Sequence, residues 1–164
     1  MNTNALLELL EKNARLSVQD LADILEEDYS EVESAIEDLE KDRIICGYHT
    51  VINYNRGLKD EKVMAFIEVD CQPTRDKGYE MAAHRIANYP EVTTMYLLSG
   101  DCDFLCLVEG RTMFEVARFV YEKISTVESV TSTKTLFVLK EYKNNGIIML
   151  DEDLEGSTRL LVTP

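Results

Sequence analysis

Apolar residues in the first quarter of the chain recur at helical spacing. Three segments follow this pattern: Thr3 to Glu11, Ser17 to about Leu25, and Ser30 to about Lys41. The second and third segments each begin with a serine that is followed three residues later by an acid, the pattern of a capping box at a helix N-terminus. Two short helices joined by a turn from Glu26 to Tyr29 predict a helix-turn-helix unit.

The stretch that follows changes to a strand pattern. Residues 44–54, IICGYHTVINY, are rich in β-branched and aromatic residues and are interrupted by Gly47, which predicts two short strands. Such a pair is the wing that often follows a helix-turn-helix unit. Polar turn formers then cluster, so we expect a linker over residues 54–61 after a winged helix-turn-helix domain over residues 1–53.

The second half of the chain predicts, in order, strand, helix, strand, strand, helix and strand. The ranges are Lys62–Cys71, Lys77–Asn88, Val92–Leu98, Phe104–Val108, Thr112–Ser125 and Val130–Leu139. This order is typical of the ferredoxin-like βαββαβ arrangement, in which both helices cover one face of an antiparallel sheet. We therefore predict an α+β protein with this domain over residues 62–142 and a C-terminal extension over residues 143–164. Two short strands are expected in the extension, at Ile147–Leu150 and Thr158–Thr163.

The face of the sheet that the helices leave uncovered predicts self-association. It would carry Val63, Ile67 and Val69 or the alternate residues of the same strand. An apolar sheet face of this kind is commonly buried against a second sheet. We expect a homodimer at least.

Composition and charge narrow the class of protein. The chain has 164 residues, 45% of them hydrophobic, and a net charge of -14 from 31 acidic and 17 basic residues. This balance predicts weak non-specific affinity for nucleic acid and for anionic lipid. No apolar run approaches the ~18 to 20 residues of a spanning helix, and no signal peptide is evident at the N-terminus. A cytoplasmic protein without a membrane partner and with reduced cysteines is expected.

No catalytic or metal-binding pattern stands out. The sequence has no glycine-rich phosphate loop, no nucleophile elbow and no paired catalytic carboxylates. Cys102 and Cys106 are four apart in a predicted strand, and at about 3.3 Å per residue they are roughly 13 Å apart, too far to share a metal ion. We therefore expect no enzyme activity, no cofactor and no metal site.

The third predicted helix has the wrong charge for contact with DNA. Its apolar residues would be buried, and its other face holds Glu31, Glu33, Glu37, Asp38 and Glu40. Residues 1–47 contain four basic and thirteen acidic residues, a net charge of −9. Because the duplex is itself a dense polyanion, such a face repels phosphate.

Three segments resemble the leucine-responsive regulatory protein (Lrp/AsnC) family of bacterial and archaeal transcription regulators. They are NARLSVQDLADIL, EKDRIICGYHTVINYNRGL and PEVTTMYLLSGDCDFLCLV, and the last is the most specific because it contains the G-x-x-D turn of Gly100 and Asp103. The resemblance covers about residues 3–142. It implies a DNA-binding dimer that assembles into tetramers or octamers and whose second domain binds a small effector, commonly an amino acid, near that turn.

The resemblance also implies which residues face DNA. They are Ser30, Glu31, Ser34, Glu37, Asp38, Lys41 and Arg43. Similar proteins carry arginines or lysines where this chain has Ser34, Glu37 and Asp38. The chain also has Arg43 where a glycine usually ends the helix, so the helix terminus differs as well.

The implied effector site is chemically suited to an amino acid. Asp103 or Asp101 would meet the ligand ammonium, while backbone N–H groups near Gly100 would meet its carboxylate. Four hydroxyl groups are further candidates for the carboxylate: Ser99, Thr131, Ser132 and Thr133. The alternative is that Gly100 only permits a positive φ in a hairpin and that the aspartates are solvated turn residues.

Two functions from different classes are compatible with these features. The first is a DNA-binding transcriptional regulator that responds to a small effector, commonly an amino acid. The second is an oligomeric interaction protein or co-regulator on the same scaffold, with DNA binding weakened or lost. The predicted wing and linker favour the first, and the acidic helix favours the second.

Overall fold

The computed structural model of the protein describes residues 2–54, 56, 62–73, 75 and 78–150. The chain divides into two compact units between Val51 and Ile52. The predicted linker over residues 54–61 lies mostly outside the described residues, and the strand predicted at Thr158–Thr163 lies wholly outside them. Within the described ranges, no helix is both long enough and apolar enough to cross a membrane.

The first unit contains the three predicted helices. They are α1 (Thr3–Lys12), α2 (Val18–Leu25) and α3 (Tyr29–Lys41). The capping box predicted at Ser17 is confirmed, because the Ser17 hydroxyl accepts from the Asp20 N–H at 3.1 Å and the Asp20 carboxylate accepts from the Ser17 N–H at 3.0 Å. The six buried side chains of this unit form one small core: Leu6, Leu10, Leu21, Ala22, Val32 and Leu39.

The capping box predicted at Ser30 is wrong. The residue before α3 is Asp28, whose backbone is extended, and Ser30 lies inside the first turn of the helix. Glu33 is instead engaged by the Tyr29 hydroxyl, which donates to its carboxylate at 3.2 Å. Asp28 and Ser30 are both residue types that commonly precede a helix. In this structure it is Asp28 that occupies the position before α3.

A Schellman motif built on an arginine ends α3. Arg43 has a φ of 60°, its N–H donates to the Glu40 carbonyl at 3.1 Å, and the Ile44 N–H donates to the Leu39 carbonyl at 2.9 Å. This conformation is the one usually given to glycine at that position. The helix therefore ends in the ordinary way despite its altered residue.

The predicted wing is not formed. Residues 44–53 are described, and none of them belongs to a strand. The Tyr48 hydroxyl donates to the Glu40 carboxylate at 2.9 Å, and Ile45 packs on the helical core. These contacts hold the segment to α3, and Gly47 is not among the described residues with a positive φ, which a two-residue hairpin turn favours.

The second unit is a four-stranded antiparallel sheet with two helices. Its elements are β1 (Val63–Cys71), α4 (Glu80–Ala87), β2 (Val92–Leu97), β3 (Phe104–Gly110), α5 (Met113–Phe119) with a π-helical turn at Val120–Ile124, and β4 (Val130–Phe137). The strand order is β2-β3-β1-β4. The predicted ferredoxin-like arrangement is confirmed, since each α-helical crossover leaves one strand between the two that it joins.

One set of alternate residues in β1 is completely buried. Ala65, Ile67 and Val69 belong to a core that also contains residues from both helices. The other set forms the uncovered face of the sheet, where Phe66 lies beside Leu107 on β3 and Leu136 on β4. The sequence allowed either set to form this face. In the structure Val63, Ile67 and Val69 face the core, and the residues that alternate with them form the uncovered face.

The C-terminal extension begins with a short hairpin. Strands β5 (Lys143–Asn144) and β6 (Ile147–Ile148) pair through Asn145 and Gly146, whose φ values are 44° and 83°. Two positive φ values and the Asn-Gly sequence are typical of a type I′ turn. The sequence predicted the second of these strands, slightly too long, and missed the first.

Candidate functional site

The turn between β2 and β3 is closed by its last residue. The Leu98 N–H donates to the Asp103 carbonyl at 2.8 Å. Gly100 does not have a positive φ, and a Cβ added there would meet no heavy atom within 4 Å. The alternative in which Gly100 only permits a positive φ in a hairpin is therefore wrong, and the space around its Cα is open.

The Asp103 side chain connects three parts of the second unit. One carboxylate oxygen accepts from the Cys71 N–H at the end of β1 at 2.8 Å, and the other accepts from the Tyr79 hydroxyl at 2.9 Å. The Tyr79 ring in turn packs edge-on against Phe104, with ring centroids 5.7 Å apart. The hydrogen bond to the carboxylate, with lesser effects of burial and of the negative charge, raises the pKa of Tyr79. Asp103 is therefore not a solvated turn residue.

A second carboxylate lies at the same end of the sheet. Asp70, near the end of β1, accepts a hydrogen bond from the Ser132 hydroxyl at its carboxylate and another from the Thr131 hydroxyl at its carbonyl, the latter at 3.1 Å. Thr133 directly follows Ser132 and lies elsewhere, because successive residues of a strand face opposite sides. Its hydroxyl is 3.4 Å from the Ser125 hydroxyl on the helix side.

The structure thus brings together most of the predicted effector site. The antiparallel register places the end of β1 beside the starts of β3 and β4, so Asp70, Asp103, Thr131 and Ser132 share one end of the sheet. Ser99 and Asp101 are exposed residues of the adjoining turn. Burial raises the pKa of the Cys102 thiol, and negative charge on Glu68, Asp70 and Asp103 raises it further, so this end of the sheet is acidic.

Sequence reasoning missed two members of this cluster. Asp70 alternates with the buried Val69 and so lies on the uncovered face. An acidic residue at the end of a strand on that face is only a weak indication of a binding site. Tyr79 lies within the predicted helix Lys77–Asn88, but its hydroxyl finds a partner 24 residues away. No local pattern indicates such a contact.

A surface pocket of about 230 Å³ lies at the opposite end of the sheet and contains none of the predicted site residues. It is lined by Glu91, Glu109, Gly110, Glu115, Val116, Arg118, Phe119, Glu122 and Lys123. Its acids have partners within the chain: Lys123 contacts Glu91 at 2.5 Å and Lys62 contacts Glu109 at 2.9 Å. The Glu115 carboxylate accepts from the Arg111 N–H at 2.9 Å.

The residues proposed to face DNA lie on the exposed side of α3 and just after it. Ser30, Glu31, Ser34, Glu37, Asp38, Lys41 and Arg43 are all exposed. Val32 and Leu39 are buried on the opposite side, in the core of the first unit. The outward surface of α3 is therefore acidic along its length, with cations only at its C-terminal end.

Comparison with known proteins identifies the second unit. Residues 64–148 match the family model of the Lrp/AsnC ligand-binding domain. The HTH-type transcriptional regulator YugG of Bacillus subtilis is 36% identical over 159 residues, which are 97% of this chain and 95% of that protein.

Two solved structures extend the match to the fold. AsnC of E. coli is 26% identical with a TM-score of 0.62, covering 85% of this chain and 91% of that one. A Neisseria meningitidis transcriptional regulator in complex with L-Met is 25% identical with a TM-score of 0.63, covering 85% of this chain and 88% of that one. These relatives are transcriptional regulators rather than enzymes, as predicted. The chain itself belongs to the Lrp/AsnC family of transcriptional regulators.

Proposed function

We propose that this regulator binds DNA through its first unit and a free amino acid at the Asp70 and Asp103 end of its sheet. The observation that supports the ligand class best is that carboxylates and hydrogen-bond donors lie together at this end of the sheet. Carboxylates suit the ligand ammonium, while the open turn at Gly100 and the hydroxyls of Thr131 and Ser132 suit its carboxylate. Asp101 remains a candidate for the ammonium, and we add Asp70.

A ligand panel tests this proposal. A ligand that binds only the folded state raises the unfolding temperature by mass action, so we expect at least one of the twenty L-amino acids to stabilise the protein. Asp70→Asn should reduce that shift. Glu128→Gln, a charge change at an exposed residue outside the cluster, should leave it unchanged. A panel without any response would contradict the ligand class.

The uncovered sheet face is the proposed surface for self-association. Phe66, Leu107 and Leu136 lie side by side on three neighbouring strands, and burial of such a face against its own copy is favourable. Phe66→Asp should shift the mass measured by light scattering toward the monomer. Phe114→Asp is the matched control, because Phe114 is 72% exposed on α5, outside the sheet. A wild-type protein that is monomeric at micromolar concentration would contradict the proposal.

DNA contact through α3 is proposed to be limited by its acids. Glu37→Arg with Asp38→Arg should strengthen duplex binding. If both arginines gain a phosphate contact, the slope of log affinity against log salt should steepen by about 1.8, since each contact adds about 0.9. Glu8→Arg with Glu11→Arg makes the same charge change on exposed positions of α1 and is the matched control.

The acidic surface of α3 also favours a second function, that of an oligomeric interaction protein with lost DNA binding. Failure of both the wild type and the Glu37→Arg, Asp38→Arg variant to bind any fragment in a genomic screen would support it. Nanomolar binding of one sequence by the wild type near physiological salt would exclude it. In that event Ser34, Lys41 and Arg43 become the first residues to test for DNA contact.

A further inference from the structure

Both oxygens of the Asp103 carboxylate accept hydrogen bonds from groups inside the chain. Each of its oxygens accepts one hydrogen bond, from the Cys71 N–H at 2.8 Å and from the Tyr79 hydroxyl at 2.9 Å. Hydrogen bonds to an ionised acceptor are stronger than those between neutral groups. A ligand ammonium at Asp103 would have to share oxygens that already hold two donors, whereas Asp70 has one oxygen free of the Ser132 hydroxyl.

The same residue also fixes the main chain of the turn. The Asp103 carbonyl accepts from the Leu98 N–H at 2.8 Å, which closes residues 98–103 into a loop. The side chain then attaches this loop to the end of β1 and to Tyr79, the residue that precedes α4. The position of the loop therefore depends on both donors to the Asp103 side chain.

Tyr79 is suited to hold such a contact in one geometry. Its ring is half-buried against the core of the second unit and packs edge-on against Phe104, the first residue of β3. Ring packing limits the motion of the hydroxyl, so little side-chain entropy is lost when the hydrogen bond forms. The hydroxyl thus holds the Asp103 carboxylate at a point defined by the core.

We propose that Tyr79 is a positioning residue for the effector site, acting through Asp103. This inference rests on the proposed amino-acid site. The Tyr79 hydroxyl sets the shape of residues 98–103, so that the backbone N–H groups of this turn are directed at the carboxylate of the ligand. A binding site held within a fraction of an ångström by its supporting residues binds more tightly than one that must order itself.

The inference is tested with Tyr79→Phe, which keeps the ring and removes the hydroxyl. The amino acid that gives the largest thermal shift with the wild type is titrated by calorimetry, together with its carboxamide, which lacks the negative charge. We expect Tyr79→Phe to weaken binding of the amino acid about five- to tenfold and binding of the carboxamide by less. The ratio of the two affinities therefore falls, which a uniform loss of stability would not produce.

Tyr121→Phe is the matched control, because Tyr121 is 77% exposed on the π-helical turn. It should leave both affinities unchanged. Asp103→Asn provides a second route should Tyr79→Phe fold poorly: it should lower the same ratio, and adding Tyr79→Phe to it should have little further effect. An unchanged affinity ratio in the folded variants would overturn the inference and leave the amino-acid site standing. A wild type that responds to none of the twenty amino acids would overturn both.

Discussion

The two units of this chain deal with acidic residues in different ways. Residues 52–164 contain eighteen acidic and thirteen basic residues, and ion pairs join several of them, such as the cross-strand pair of Lys134 with Glu68 at 3.0 Å. Residues 1–51 contain thirteen acidic and only four basic residues. There Glu33 and Glu40 accept hydrogen bonds from tyrosine hydroxyls instead. The second unit balances its charge locally, and the first presents its charge to solvent.

The units also differ in how much core supports them. Among the residues that the structure describes, fourteen buried side chains form the core of the second unit and six form that of the first. A small core leaves little stability in reserve, because hydrophobic burial must offset the loss of chain entropy. The first unit therefore depends more than the second on its helix termini.

Core truncation should have the largest effect and should act within one unit. Leu21→Ala removes a buried side chain from the first core, and Phe104→Ala removes one from the second, at a cost of about 2–5 and 3–5 kcal/mol. Hydrogen exchange should show lost amide protection in residues 3–41 for the former and in residues 63–137 for the latter. Equal loss in both regions from Leu21→Ala would mean that the units unfold together.

Gly110→Ala should destabilise the second unit by about 1–3 kcal/mol through overpacking. A Cβ at Gly110 would lie 2.9 Å from a methyl carbon of Val116, so α5 would have to shift away from β3. Gly100→Ala is the matched control, since nothing lies within 4 Å of a Cβ there. Denaturant unfolding should separate the two variants, and equal stability would contradict the close approach at Gly110.

Arg43→Gly should stabilise the first unit by about 1 kcal/mol. The residue has a φ of 60°, a conformation that costs energy for a side chain with a Cβ and little for glycine. Lys41→Gly, at the last residue of α3, should instead destabilise by up to about 1 kcal/mol. The unfolding transition of residues 1–51 measures both, and a loss of stability in Arg43→Gly would show that the arginine side chain has a stabilising contact.

The smallest effect concerns acid pH in the second unit. Burial acts to raise the pKa of Glu91, but the hydrogen bond from Lys123, a backbone hydrogen bond and the charge of Lys123 together outweigh it, and the net pKa is lowered. A lowered folded-state pKa gives stability that is present above the ordinary value near 4.5 and is lost as pH falls through the folded-state value.

Lys123→Met should remove this contribution, which for a partly exposed pair is below about 1 kcal/mol. Burial then dominates, so stability should no longer fall on account of this group as pH drops from 7 to about 3, below the ordinary value near 4.5. Unfolding by denaturant at both pH values is the measurement. The same pH dependence in wild type and variant would show that Lys123 does not control Glu91.

Local signals in the sequence were enough for much of the fold. The capping box at Ser17 involves residues three apart, and the order of strands and helices follows from apolar spacing. The uncovered face of β1 could not be assigned, because Val63, Met64, Ala65 and Phe66 are all apolar. The prediction of the wing was wrong because β-branched residues predict an extended chain but do not specify a strand to pair with. In the structure Tyr48 attaches this segment to α3.

In the candidate site, too, the sequence predicted what depends on neighbouring residues and missed what depends on distant ones. The turn at Gly100 was predicted because its residues are adjacent. The role of Asp103 was not, since its donors at Cys71 and Tyr79 are 32 and 24 residues away in sequence. Contacts of that separation are created by the sheet register, which apolar spacing specifies only approximately.

The hairpin turn at Asn145 and Gly146 also bears on the chemical lifetime of the protein. Its two positive φ values favour this residue pair, yet asparagine followed by glycine is the sequence that loses its side-chain amide most readily. The product is aspartate or isoaspartate, and each adds one negative charge to a chain that already carries -14. Aspartate is tolerated in the same turn, whereas isoaspartate inserts an extra backbone atom and breaks the register between β5 and β6. Ageing of the purified protein should therefore begin at this hairpin, as an acidic shift in isoelectric point.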